Sequence, residues 1–136
     1  MDKDQFSWDA TRLSTGSLVR VFLRDLTLEA VIGVHKHEAV GPQQIIVNIA
    51  LMVSLPERSL RDKLSEVVDY EAIANGVRSL IAQGHVKLVE TLAERIAVFC
   101  LEDMRVKSVL VRVEKPTAIE GARGAGVEIE RRRDRD

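Results

Sequence analysis

The sequence predicts an α+β fold: a four-stranded antiparallel sheet with two helices on one face, in the order strand, strand, helix, helix, strand, strand. Two-residue apolar alternation marks both ends of the chain, and three-and-four spacing is confined to the middle. The joints between strands are hairpin-sized, which favours antiparallel pairing over a βαβ alternation.

Regularity begins at Leu18. Residues 18–24 and 27–33 read as one strand, with Asp25-Leu26 marking a bulge or bend. His35 to Pro42 reads as a loop. In the next strand Ile45, Val47, Ile49, Leu51 and Val53 are apolar and mostly β-branched, so they mark a core-facing side, and Pro56 stops the run. Asp69 is placed to cap a helix from Tyr70 to about Gln83, in which Ile73, Val77, Leu80 and Ile81 share a face. Gly84 ends it. A second helix is expected from about Lys87 to Met104, with Leu88, Leu92, Ala93, Ile96, Phe99 and Cys100 as its stripe. Val109, Val111 and Val113 then share a strand face with Lys107 and Lys115. Residues 116–126 form a loop and 127–131 the closing strand. The other sheet face is also partly apolar (Ile46, Ala50, Met52, Leu110), which predicts an oligomer.

A chain of 136 residues is one domain, able to bury about 68% of its unfolded surface. It divides into an N-terminal arm (1–17), the domain (18–132) and a charged tail (133–136). Twenty basic against 21 acidic residues leave a net charge of −1, which argues against neutralising nucleic-acid phosphates. No apolar run approaches the ~20 residues of a membrane span, and the arm lacks a signal-like apolar stretch, so a cytoplasmic location is expected. The single cysteine, Cys100, excludes an intrachain disulfide and a multi-cysteine zinc site. His35 and His37 supply only two metal ligands. The glycines at 121, 124 and 126 precede a strand, not the helix N-terminus that attracts phosphate. Residues 120–136 carry five positive and five negative side chains, a solvated, charge-mixed end.

Four residues stand out as chemistry-bearing: Glu38 after His35-Lys36-His37, the lone tyrosine Tyr70, Glu90 in a first helical turn, and Lys115 before Pro116. Each also has an ordinary explanation. Glu90 suits the helix dipole, Lys115 a solvated strand end, Tyr70 packing, and Glu38 a polar loop. Composition and spacing leave both explanations open.

Together these positions resemble the dihydroneopterin aldolases, a family with the tunnelling fold. The resemblance spans Leu18 to Arg131 and rests on five stretches. They are Leu26-x-Leu28 through Ile32-Gly33-Val34, Glu38-x4-Gln43, Val68-Asp69-Tyr70, the run from Leu88 to Ala97, and Glu114-Lys115-Pro116-x-Ala118-Ile119 leading to Gly126-Val127-x-Ile129-x-Arg131. It implies that Glu90 anchors the amino-pyrimidinone edge of a pterin through paired N–H bonds, beside the backbone N–H of Val89. Tyr70, with backbone from Val68 and Asp69, would come from a neighbouring subunit. Lys115 would be the catalytic amine, and Glu38 would lie close to it and to the hydroxyls of the substrate's tail.

The implied reaction is the retro-aldol cleavage of 7,8-dihydroneopterin in folate biosynthesis. It requires no metal, no Schiff base and no cofactor, because the dihydropterin C=N bond is itself the electron sink. The implied assembly is an octamer of two stacked four-membered rings, with sheets joining into a barrel and sites at subunit interfaces. A dihydroneopterin triphosphate 2′-epimerase shares the same residues, and His35, Lys36 and His37 would supply part of a triphosphate site. A GTP cyclohydrolase-like zinc enzyme lacks its ligands here. A non-catalytic pterin binder has no use for Lys115.

Overall fold

The computed structural model describes residues 18–39, 41–56 and 59–134. The expected N-terminal arm lies outside the described residues. Strand β1 (Leu18–Ala30) pairs with β2 (Gln43–Ser54), β2 with β3 (Val106–Lys115), and β3 with β4 (Ala125–Arg132), all antiparallel, giving the order β1-β2-β3-β4. Helices α1 (Tyr70–Ile81) and α2 (Val89–Cys100) cover one face: α1 packs over β1, and α2 over β3 and β4. Among the described residues no helix is long and apolar enough to cross a membrane.

The core lies between sheet and helices. Ile45, Val47, Ile49, Leu51 and Val53 are buried, as their alternation predicts, against Ile73 and Val77 of α1 and Leu92 and Ile96 of α2. Each such side chain contributes roughly 1.5–3 kcal/mol by leaving water. Asp69 caps α1, its carboxylate accepting from the Glu71 amide at 2.9 Å. The predicted bulge is present: the β1–β2 register shifts between Leu23 and Leu26, and Asp25 sits at φ 58°. Asn48 pins it, its side-chain oxygen accepting from the Asp25 amide at 2.8 Å and its amide donating to the Asp25 carboxylate at 3.2 Å. Asn48 is itself buried. Replacing it with alanine leaves the Asp25 amide unpaired and is expected to cost about 1–3 kcal/mol. A lower urea midpoint at unchanged slope is the check.

Several boundaries differ from the expectation. The segment read as a loop at 35–42 contains a four-residue helix, Lys36–Ala39, closed by the Glu38 amide donating to the His35 carbonyl at 3.0 Å. Strand β1 stops at Ala30, because the chain peels away at Gly33, where φ is +136°. Helix α2 ends at Cys100, short of Met104. Asp103 there accepts the Arg105 amide and guanidinium, building a turn that competes with further helix. Lys107 does not share the valine face. A bulge opposite Met52 and Val53 turns Lys107 to solvent and places Val106 in the core. Arg133, read as the start of a solvated tail, instead donates to the carbonyls of Val106 at 3.1 Å, Asp103 at 3.2 Å, and Leu101. It thereby caps the open end of α2.

Candidate active site

The chemistry-bearing residues gather at the end of the sheet where Ala30, Gln43 and Lys115 terminate or begin their strands. Lys115 is the last residue of β3, and Glu38 stands on the short helix between β1 and β2. Although 77 residues apart, they form an ion pair in which the Lys115 Nζ donates to Glu38 Oε2 at 2.9 Å. Their side chains are only 17% and 10% exposed, so this is not an ordinary surface pair.

Three further contacts fix the carboxylate. The amide of Gln43, the first residue of β2, donates to Glu38 Oε2 at 3.2 Å and to the Ile32 carbonyl at 2.8 Å. The His35 backbone N–H donates to Oε1 at 3.3 Å. Gly33 presses against the same side chain so closely that a Cβ there would lie 2.1 Å from Oε1. The Lys115 hydrogen bond, followed by that from Gln43, pulls the Glu38 carboxyl down to about 2, against the opposing effect of burial. Glu38 is therefore a fixed anion and holds no proton near neutrality.

That depression has a consequence for stability. A carboxyl whose folded value lies below its ordinary 4.5 adds stability above that value and loses it as pH falls toward about 2. Urea unfolding of wild type and Glu38→Gln is expected to show its widest gap above about pH 5. The gap narrows steadily between 4.5 and 2.

Helix α2 is tied to the same corner. Val86 bridges Ile32 in parallel, with Gly33 N–H donating to the Val86 carbonyl at 3.0 Å and Val86 N–H to the Val31 carbonyl at 3.1 Å. His85 Nε2 adds a bond of 2.9 Å to the Gly33 carbonyl, which requires that this nitrogen carry the proton. Val89 and Glu90 follow as the first turn of α2, with the Glu90 carboxylate exposed. The Val89 N–H is a first-turn amide without an intrahelical acceptor. One end of the chain thus carries a fixed anion, an amine, a free carboxylate and an unsatisfied N–H.

The remaining candidates lie elsewhere. Tyr70 is 62% exposed and opens α1 at the opposite end of the helical hairpin, about 18 Å from the end that meets α2. It borders Val21, Leu23, Ile49 and Leu51. Ile49 faces Val111, which is four residues, roughly 13 Å, along β3 from Lys115. Val68 is buried, and Asp69 is engaged as the cap. Within one chain, Val68, Asp69 and Tyr70 are not brought to Lys115. Cys100 packs in the core, where burial pushes its thiol up to about 12. No group of three or more histidine, cysteine or carboxylate side chains suited to a metal occurs among the described residues.

The family of dihydroneopterin aldolases (FolB) matches residues 21–130. The dihydroneopterin aldolase of Streptomyces coelicolor is 38% identical over 99 residues, covering 73% of this chain and 83% of its own. The folic acid synthesis protein FOL1 of Dictyostelium discoideum is 31% identical over 112 residues. That match covers 82% of this chain but only 17% of FOL1, so the chain spans about a sixth of that relative's length. A crystal structure of the Burkholderia thailandensis aldolase bound to guanine shares 35% identity at a TM-score of 0.76, covering 87% of this chain and 93% of the other. The Escherichia coli aldolase in complex with neopterin shares 28% at 0.73, covering 83% and 98%. With its four-stranded antiparallel sheet and paired helices, the chain belongs to the dihydroneopterin aldolase family.

Proposed function

We propose that this chain cleaves the C1′–C2′ bond of 7,8-dihydroneopterin, releasing 6-hydroxymethyl-7,8-dihydropterin and glycolaldehyde, a step in folate biosynthesis. The observation that carries this reading is the largely hidden Lys115–Glu38 pair at the corner to which the Glu90 helix is bridged. Relatives crystallised with neopterin and guanine support it, since both ligands present an amino-pyrimidinone edge.

Glu90 accepts two N–H bonds from that edge, and the Val89 N–H meets the ring carbonyl. Lys115, acting through a water, takes the proton of the 2′-hydroxyl. The C1′–C2′ bond then breaks, its electron pair flowing into the conjugated C=N of the dihydropterin, and C1′ of the enol-like intermediate is reprotonated. Glu38, locked as an anion, keeps Lys115 in place and offers Oε1 to a tail hydroxyl. Because the ring accepts the electrons, neither a metal nor a Schiff base is needed.

Tyr70 relays the returning proton from an adjacent copy, with backbone of Val68 and Asp69 beside the ring. The separation of the two half-sites at opposite ends of one chain supports a site completed between subunits, in an octamer of two stacked four-membered rings. Exposed Phe22 on the helix-free sheet face supports the same association.

Incubating the purified chain with 7,8-dihydroneopterin and a chelator tests this directly. Equal amounts of hydroxymethyl-dihydropterin and glycolaldehyde are expected. Recovery of the 2′-epimer without glycolaldehyde would replace the reading with an epimerase. Glu90→Gln loses one of its two matched acceptors and is expected to raise KM about tenfold with a smaller change in kcat.

A further inference from the structure

We propose that the rim of this site is an anion subsite for a phosphate ester on the far end of the substrate's tail, so that a phosphorylated dihydropterin binds better than the free triol. The inference rests on the aldolase reading and names a substrate class for the same site.

All three histidines of the chain lie in two loops that meet at Gly33. His85 bonds the Gly33 carbonyl at 2.9 Å, and the His35 amide donates to the Glu38 carboxylate at 3.3 Å. The His35 and His37 rings stack, with centroids 5.6 Å apart and planes within 5°, and both residues are exposed. The charged residues of segments 31–39 and 82–90 are Lys36, Glu38, Lys87 and Glu90. Lys115 neutralises Glu38, and the pterin edge takes Glu90. That leaves Lys36 and Lys87, neither with an acidic partner among the described residues, together with three imidazoles.

A tail whose hydroxyl meets Glu38 and Lys115 continues, beyond its reacting carbons, toward the residues that immediately precede Glu38. A phosphate group suits them, since it accepts from an ammonium and from imidazole N–H edges at once. It takes no part in the chemistry. The C1′–C2′ bond breaks, its electron pair enters the ring, and C2′ leaves as an aldehyde with its phosphoester intact, as glycolaldehyde phosphate.

Calorimetry on the full chain with neopterin, neopterin 3′-phosphate and inorganic phosphate tests the subsite. In about 20 mM potassium chloride the ester is expected to bind about tenfold tighter than neopterin, with the ratio falling toward one in about 300 mM. Inorganic phosphate alone is expected to bind weakly and to compete with the ester more than with neopterin. The double change Lys36→Ala with His37→Ala should bring the low-salt ratio to about one, while Lys36→Arg should preserve it. A ratio of one or less in the wild type, or a preference unchanged in the double variant, overturns the proposal. These oxidised pterins are not cleaved, so the ratio is read independently of turnover. Failure to cleave dihydroneopterin overturns the aldolase reading instead.

Discussion

Lys115→Ala is expected to lower kcat by 10²- to 10⁴-fold, the range for losing a positioned proton-transfer group, while leaving KM for dihydroneopterin within about threefold. The asymmetry follows from the division of the site. The pterin edge is held by Glu90 and Val89 on α2, whereas Lys115 closes β3 and touches only the reacting tail. Lys115→Arg retains a cation to pair with Glu38 but loses an amine able to pass its proton on. It should therefore fold as well as wild type and still turn over at least tenfold more slowly. That variant separates chemistry from stability, because Lys115→Ala also leaves a largely hidden carboxylate without its partner. Full turnover in both variants would remove Lys115 from the mechanism and with it the assignment of the base.

Strand and helix types are legible in the sequence because each depends on local period. The odd residues of β2 are all buried, and Asp69 caps its helix as its position before Tyr70 predicts. The Asp25 bulge is also visible, as a break in alternation, but its cause is not. Asn48 lies 23 residues away and reads as an ordinary polar member of a strand. The helix at 36–39 is too short to display a period. The Lys107 bulge is a property of the ladder, created by what β3 faces across Met52 and Val53. Glu38 and Lys115 are each identifiable as candidates through the family pattern, whereas their contact spans 77 residues and needs the fold. Gly33 and Gln43 belong to that pattern with no task of their own. Their signal is a glycine two residues before a histidine and a glutamine opening a strand, and neither reveals that both press on one carboxylate.

Gly33→Ala is expected to disable the site while the domain still folds. At φ +136° an L-residue is strained, which costs on the order of 1–3 kcal/mol. The added Cβ would also stand 2.1 Å from Glu38 Oε1, 2.2 Å from its Cδ and 2.7 Å from its Cβ. The last of these is near the root of the side chain, so rotating the carboxylate away does not relieve the overlap. The Glu38 side chain must leave, and Lys115 then loses its partner while Gln43 keeps only its bond to Ile32. Misplacing the pair by an ångström is expected to reduce kcat about 10²-fold. Gly84→Ala separates the two effects. Gly84 sits at φ +123°, and a Cβ there would meet nothing within 4 Å, so the change carries the backbone strain without the clash. Similar losses of unfolding free energy in the two variants, with turnover lost only in Gly33→Ala, would assign the defect to the displaced carboxylate. Equal turnover in both would show that the close approach of Gly33 to Glu38 has no part in placing Lys115.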